Sequence, residues 1–186
     1  MTPVEVPVRL RDGTRGLIRD VRVEDKPVLA AEYERLSPES RFHRFLSPVP
    51  HLTGGMLHHL VDEVDFIDHV ALGMIVDESG EEPRPVGIAR TIRYSDMPDA
   101  ADVAVTVVDD YQGRGVATML LAELMRRRPV GVRRLITVVS TDNRPSLAML
   151  RRLGPTTVSN PSGGVVEVEV LLDEPAQSGA AGQSTR

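Results

Sequence analysis

The spacing of apolar and polar positions changes several times along the chain, and each change marks an element. Residues 6–10 and 16–20 alternate in period two on either side of Asp12-Gly13, a dipeptide suited to a tight β-hairpin turn. From residue 23 the period lengthens. Val28, Leu29, Ala31 and Leu36 recur at helical spacing, and Pro27 is tolerated in the first turn. A second helix starts after Ser37. That residue is a good N-cap, Pro38 fits the first helical position, and Glu39 suits the positive end of the helix dipole. A short helix is expected over residues 56–64.

Strand periodicity then takes over. Residues 68–77 and 84–94 read as antiparallel partners across the turn ESGEEP, and residues 102–108 as the next strand after the loop SDMPDA. A helix over 115–128, a buried strand over 133–140, a helix over 143–154 with Gly154 as its C-cap, and an alternating strand over 163–173 complete the order. Residues 174–186 are rich in Ala, Gly, Ser and Gln, and are expected to be a disordered tail. The pattern predicts one domain over residues 1–173. Its class is mixed α/β (α+β), antiparallel early and with a strand–helix–strand crossover later. No internal repeat is present.

Composition narrows the chemistry. The chain has 186 residues, enough for one domain with a real core. Aromatics are 3% and Trp is absent, so Val, Leu, Ile, Met and Ala must build that core. Cysteine is absent as well. This excludes disulfides, a thiolate zinc site and a cysteine nucleophile. The net charge of −5 argues against a nucleic-acid partner. The run Arg126, Arg127, Arg128 falls at a helix C-terminus, where cations are favoured in any case. No apolar run is long enough for a bilayer and nothing resembles a signal peptide, so a cytoplasmic protein without a membrane partner is expected. His58 and His59 lack a third ligand at metal spacing, and no metal site is expected. His43 and His51 flank the early helices and are candidates for lining an acceptor pocket.

The stretch DDYQGRGVATMLLAELMRRR, residues 109–128, carries the main chemical signal. A helix N-terminus presents unpaired N–H groups and a partial positive charge, which suit a phosphate. Gly113 and Gly115 let main chain approach an anion without a Cβ in the way. Gln112 and Arg114 add donors. Val116, Leu120 and Leu124 then form the buried face of the helix. A dinucleotide-binding fingerprint would need Gly or Ala where Thr118 stands, and the Gly-Lys-Ser/Thr of a P-loop is missing. Taken alone, two glycines also suit an ordinary strand–helix turn.

The longer segment DVAVTVVDDYQGRGVATMLLAEL resembles the central signature of the GNAT N-acetyltransferase superfamily, with Gln112, Gly115 and Ala117 at its defining positions. LITVVSTDNRPSLAMLRRLG is similar to the strand and helix that follow in that family, with Asn143, Ser146, Leu150 and Gly154 in place. The resemblance covers roughly residues 5–172. It implies a mostly antiparallel sheet, flanked by helices and splayed between its fourth and fifth strands, with acetyl-coenzyme A in the wedge. The main chain of Val105, Thr106 and Val107 would pair with the pantetheine arm. The N–H groups of Gln112, Gly113, Arg114, Gly115, Val116, Ala117 and Thr118 would hold the pyrophosphate, and Asn143 and Ser146 would line the far side. An amine would attack the thioester directly, without a metal or a covalent enzyme intermediate.

Two proton transfers accompany that attack. Relatives often carry a Glu near the start of the fourth strand as general base; here Asp102 stands ten residues before Gln112, one methylene shorter, so a bridging water is expected. Asp102 as a merely solvated residue at a strand start is the other reading. Relatives also place a Tyr, as acid for the leaving thiolate, where this chain has Leu150, which cannot donate; Tyr94 and Tyr111 have no spacing argument. LSPESRFHRF, residues 36–45, resembles a segment of the GNAT domains of bacterial protein-lysine acetyltransferases. Those are often fused to a nucleotide-binding or synthetase-like domain, for which this length leaves no room. The acceptor implied is a primary amine, on a protein lysine or a small molecule. The alternative is a non-catalytic acyl-coenzyme A binding or regulatory module.

Overall fold

The computed structural model describes residues 5–78 and 83–173. The middle of the ESGEEP turn and the 174–186 tail lie outside the described residues. Eight described strands form one sheet: β1 (Glu5–Arg9), β2 (Arg15–Asp20), β3 (His69–Asp77), β4 (Arg84–Arg93), β5 (Ala100–Val107), β6 (Arg134–Ser140), β7 (Thr156–Val158) and β8 (Val165–Leu171). Their order across the sheet is β1-β2-β3-β4-β5-β6-β8-β7. All pairings are antiparallel except β5 with β6. The edge strand β7 was not expected, since three residues are too few to show an alternation.

Among the described residues five α-helices accompany the sheet: α1 (Lys26–Arg35), α2 (Pro38–Phe45), α3 (Gly54–Leu57), α4 (Val116–Arg126) and α5 (Arg144–Leu150). The Ser37 hydroxyl accepts the Ser40 N–H at 3.1 Å, so α2 is capped as its sequence predicts. The helix expected over 56–64 starts earlier, behind the Thr53 cap, and widens over residues 58–62. There the Glu63 N–H reaches back to the His58 carbonyl at 3.3 Å. Helix α5 stops at Leu150, and Gly154 is not the left-handed cap that its spacing predicts. Gly154 is required for a different reason: a Cβ there would collide with the Leu171 carbonyl oxygen.

Helix α4 covers one face of the sheet. Val116, Leu120, Leu121 and Leu124 are fully buried in a core shared with Leu72, Met74, Val86 and Val103. Each such side chain stabilises the fold by about 1.5–3 kcal/mol. The other face is covered by α1, α2 and the widened turn, through Leu29, Phe45, Leu60 and Val61 against Val21, Ala71 and Ile88.

The one parallel pairing is short. β5 and β6 register only as Ala100↔Arg134 and Ala101↔Leu135. Beyond those residues the two strands diverge, and a wedge opens. Counted from β2 they are the fourth and fifth strands, the pair at which the splay was expected.

Candidate functional site

The wedge exposes one edge of β5. β4 pairs with the opposite edge as far as Val107. The Val103 carbonyl points toward β6, where it accepts the Thr137 hydroxyl at 3.2 Å. Two residues on, the period-two pleat turns the main-chain groups of Val105 in the same direction, with no strand there to meet them.

β5 runs into a short turn over Asp109–Tyr111 and then into the glycine loop. Gly113 and Gly115 have φ of 75° and 95°, the left-handed region that glycine enters without penalty. Gly115 is the N-cap of α4 and has no side chain to satisfy the helix. The Gln112 N–H is used by the Asp109 carbonyl at 3.1 Å. From Gly113 through Thr118, six consecutive N–H groups donate to nothing among the described residues. The run ends in the first turn of α4, where the helix dipole is positive.

Side chains brace this loop from outside. Arg11, in the β1–β2 turn, donates its main-chain N–H to the Arg114 carbonyl at 3.1 Å and a guanidinium N–H to the Gly113 carbonyl at 3.3 Å. Arg114 turns away from the wedge. It pairs with Asp12 at 3.1 Å and lies over the Tyr111 ring at 4.5 Å. Gln112 spends its amide on Ser40 Oγ at 3.2 Å. The Asp109 carboxylate accepts the Ser37 N–H at 2.9 Å and the Ser37 and Ser40 hydroxyls at 2.9 and 2.7 Å, which ties the loop to α2. Burial works against that carboxylate, yet these hydrogen bonds hold it below the ordinary range. The side-chain donors expected from Gln112 and Arg114 therefore serve the loop itself, and main-chain donors are left for a ligand.

The loop, the open edge of β5 and the start of α5 enclose a cleft of about 520 Å³. Every residue named above for the cofactor lines it except Arg114. Asn143 caps α5 through its side-chain oxygen, which accepts the Ser146 N–H at 3.2 Å. Arg11, Ser37, Ser40, His43, Arg44 and Asp142 line the cleft too. His43 Nε2 lies 3.1 Å from Asp142 Oδ1 and links α2 to the loop before α5. His43 was a candidate for an acceptor pocket and Ser37 for a helix cap; nothing local in the sequence brings any of the six to this cleft, which each enters by tertiary packing.

The cleft continues through Val105, Asn143, Ser146 and Met149 into a second cavity of about 350 Å³ between β5 and β6. This one holds Asp102, Tyr94, Thr137 and Leu150. Burial pushes the Asp102 carboxyl above its ordinary value, against the opposing pull of the Thr137 hydroxyl and the Arg44 guanidinium. Leu150 is buried, as an apolar wall. Tyr94 donates to the Ile136 carbonyl at 2.9 Å. Tyr111 is committed elsewhere, to Glu78 Oε1 at 2.6 Å. The Ser146 hydroxyl has no partner among the described residues.

The remaining histidines lie outside this chemistry. His58 and His59 face Asp62 and Glu63 one helical turn on, and His51 is exposed. Among the described residues no three His, Asp or Glu side chains gather as a metal site, and no helix is long and apolar enough to cross a membrane.

Known proteins are similar to this chain in sequence and fold. Residues 33–154 match the sequence model of the Acetyltransferase (GNAT) family. A curated acetyltransferase of Pseudomonas aeruginosa is 35% identical over 146 residues, 78% of this chain and 77% of that protein. Acetyltransferase Pat of Mycolicibacterium smegmatis is 35% identical over 179 residues, 91% of this chain; the chain spans about half of Pat, 50% of its length. The crystal structure of the GNAT domain of S. lividans PAT superposes with a TM-score of 0.76 at 32% identity, covering 90% of this chain and 97% of that one.

Proposed function

The chain belongs to the acetyltransferase (GNAT) family and is an N-acetyltransferase by that membership, and we propose that it moves the acetyl group of acetyl-coenzyme A to a primary amine. The run of six unpaired N–H groups from Gly113 to Thr118 carries this reading. Such a run asks for a multiply charged anion with several acceptor oxygens, and the diphosphate of coenzyme A supplies one. Val105, Thr106 and Val107 would then pair with the pantetheine amides along the open edge of β5. Asn143 and Ser146 would close the far side. The acceptor is a protein lysine or a small amine. The resemblance of residues 36–45 to a segment of protein-lysine acetyltransferases favours a lysine.

The chemistry needs two proton movements. The amine nitrogen attacks the thioester carbonyl carbon, the C–S bond breaks, and the thiolate departs. Asp102, directly or through a water, takes the proton that the amine must lose. Burial raises its pKa, which makes it a stronger base than an ordinary Asp. The thiolate needs a proton in return. Leu150 cannot give one, and Tyr94 is engaged with a carbonyl; the free Ser146 hydroxyl can hydrogen-bond the departing sulfur, and solvent supplies the proton. We place this chemistry in the cytoplasm, where acyl-coenzyme A is met. We assign the catalysis to the domain expected over residues 1–173.

Release of free thiol from acetyl-coenzyme A, measured against a panel of amines and lysine peptides, tests the reading. Amine-dependent release is expected. If coenzyme A protects the fold against heat while no amine yields thiol, the protein is an acyl-coenzyme A binding module instead.

A further inference from the structure

A third cavity, about 350 Å³, lies between the inner face of α1 and the exposed face of β3 and β4. Its walls are mainly apolar, with Leu29, Tyr33, Phe45 and Ile88 among them. It shares Thr106 and Arg44 with the cofactor cleft. It therefore opens beside the strand along which the thioester would lie. An acetyl group is too small to need such a space.

Two arginines at this junction lack carboxylate partners. Arg90, on β4, is only 4% exposed and lines the cavity. One terminal nitrogen donates to the Leu60 carbonyl at 2.8 Å and to His69 Nε2 at 3.1 Å. Its other N–H groups have no acceptor among the described residues. Burial, with Arg44 nearby, lowers its pKa to about 9. Arg44, on α2, makes no hydrogen bond among the described residues, packs 4.6 Å over the Phe45 ring and borders all three cavities. Burying the Arg90 guanidinium without a counter-charge is costly, and Arg44 nearby repels it besides. The cavity's other charges do not relieve them. Arg19 and Asp25 close on each other at 2.7 Å; Glu32 on α1 gives one oxygen to Arg35 at 3.3 Å, and its other oxygen is buried without a partner among the described residues. Asp102 attracts Arg44 from the far side without touching it.

We propose that this cavity receives a carboxylate on a short apolar chain, with Arg44 and Arg90 as its counter-charge. The proposal rests on the coenzyme A reading of the cleft. Guanidinium matches a carboxylate in shape as well as charge, and the apolar walls suit the methylenes between that carboxylate and the reacting carbon or nitrogen. The chain can arrive on either substrate. A dicarboxylic acyl thioester would carry it on the donor, and an amino-carboxylate on the acceptor. In both cases the amine nitrogen bonds to the acyl carbon, coenzyme A leaves as the thiol, and the carboxylate stays ionised and unreacted.

The test compares kcat/KM in two matched pairs, by thiol release with the full chain. One pair is succinyl- against butyryl-coenzyme A with a single amine. The other is 4-aminobutyrate against butylamine with acetyl-coenzyme A. Wild type is expected to favour the carboxylate member of one pair by about tenfold or more, the scale of one charge-assisted hydrogen bond, and that pair identifies the substrate concerned. Arg44→Gln and Arg90→Gln should each abolish the preference within the pair. Arg44 is only half-buried, so its variant carries the test if the Arg90 variant fails to fold. Absence of preference in both wild-type pairs, or a preference that survives in folded Arg44→Gln, overturns the proposal. With coenzyme A bound and acetyl transfer observed, that failure leaves the acetyltransferase reading intact. Failure to bind coenzyme A at all removes both.

Discussion

Replacing Gly87 by Ala adds one methyl group where the sheet meets α4. Its Cβ would lie 2.8 Å from Val116 Cγ1, 3.1 Å from Leu120 Cδ1 and 3.2 Å from the Thr106 carbonyl oxygen. Carbon atoms rest at about 3.5–4.0 Å, so Val116 must retreat by up to roughly 1 Å. It has little freedom to do so, being β-branched and fully buried. Overpacking of this kind costs about 1–3 kcal/mol. In a domain of this size that lowers Tm by about 2–12 °C. Val116 is also the first residue of α4, so its displacement moves the unpaired amides of the glycine loop. Coenzyme A affinity should fall together with stability. Gly73→Ala is the control on the neighbouring strand. Its Cβ would meet Val21 Cγ2 at 3.9 Å and the Gly87 carbonyl at 4.0 Å, ordinary contacts, and stability should hold or rise by up to about 1 kcal/mol. Thermal unfolding by circular dichroism and titration calorimetry with coenzyme A read both effects. A Gly87→Ala protein as stable as Gly73→Ala would refute the packing argument, and one that loses stability while keeping full affinity would refute the link to the loop.

Other variants probe the site and the fold. Gly115→Asp places a negative charge about 5 Å from the anion, worth about 3 kcal/mol of repulsion per phosphate charge at an effective dielectric of 20; calorimetry should show affinity reduced at least a hundredfold. Arg11→Ala removes a cation from the cleft wall and a brace from Gly113, and should weaken coenzyme A binding about tenfold, with a shallower salt dependence than wild type. Asp102→Asn should lower kcat by about 10²–10⁴ while leaving cofactor affinity nearly unchanged; the acid limb of the wild-type pH–rate profile, which lies above the ordinary Asp range because burial raises this carboxyl, should disappear with it. His69, buried beside Arg90, has its pKa lowered from 6.5 to about 4, chiefly by burial. The unfolded chain therefore binds this proton first, and the fold should lose about 3 kcal/mol as pH falls from 6.5 to 4. A Tm that stays level across that window, or that falls equally in His69→Gln, would contradict this.

Much of the molecule was legible because its signals are local. The Asp12-Gly13 turn, the Ser37 cap and the apolar face of α4 each depend on residues within a few positions of one another. The glycine loop was legible for the same reason, since Gly113, Gly115 and the helix that follows form one continuous segment. What escaped depends on contacts across the chain. Arg11 reaches the loop from 102 residues away. Arg114, read as a ligand donor from its place in the loop, is drawn off by Asp12 in that same hairpin turn. Gly154 looked like a cap because it follows a helix, but β8 passes so closely that no side chain fits. Nothing in the sequence paired Arg44, inside the 36–45 segment, with Arg90. Two isolated arginines, one on a helix and one on a strand, become neighbours only once α2 lies across the sheet.

The central claim is that main-chain amides ahead of α4 grip a diphosphate. Titration calorimetry of the folded protein with coenzyme A, and separately with pantetheine, which has the same arm without the diphosphate and the adenosine 3′-phosphate beyond it, and with adenosine 3′-phosphate to weigh the nucleotide alone, addresses it most directly. The account predicts saturable binding of coenzyme A at micromolar concentration and pantetheine binding weaker by a hundredfold or more. Equal affinity for the two, or no heat from coenzyme A at millimolar concentration, would contradict it.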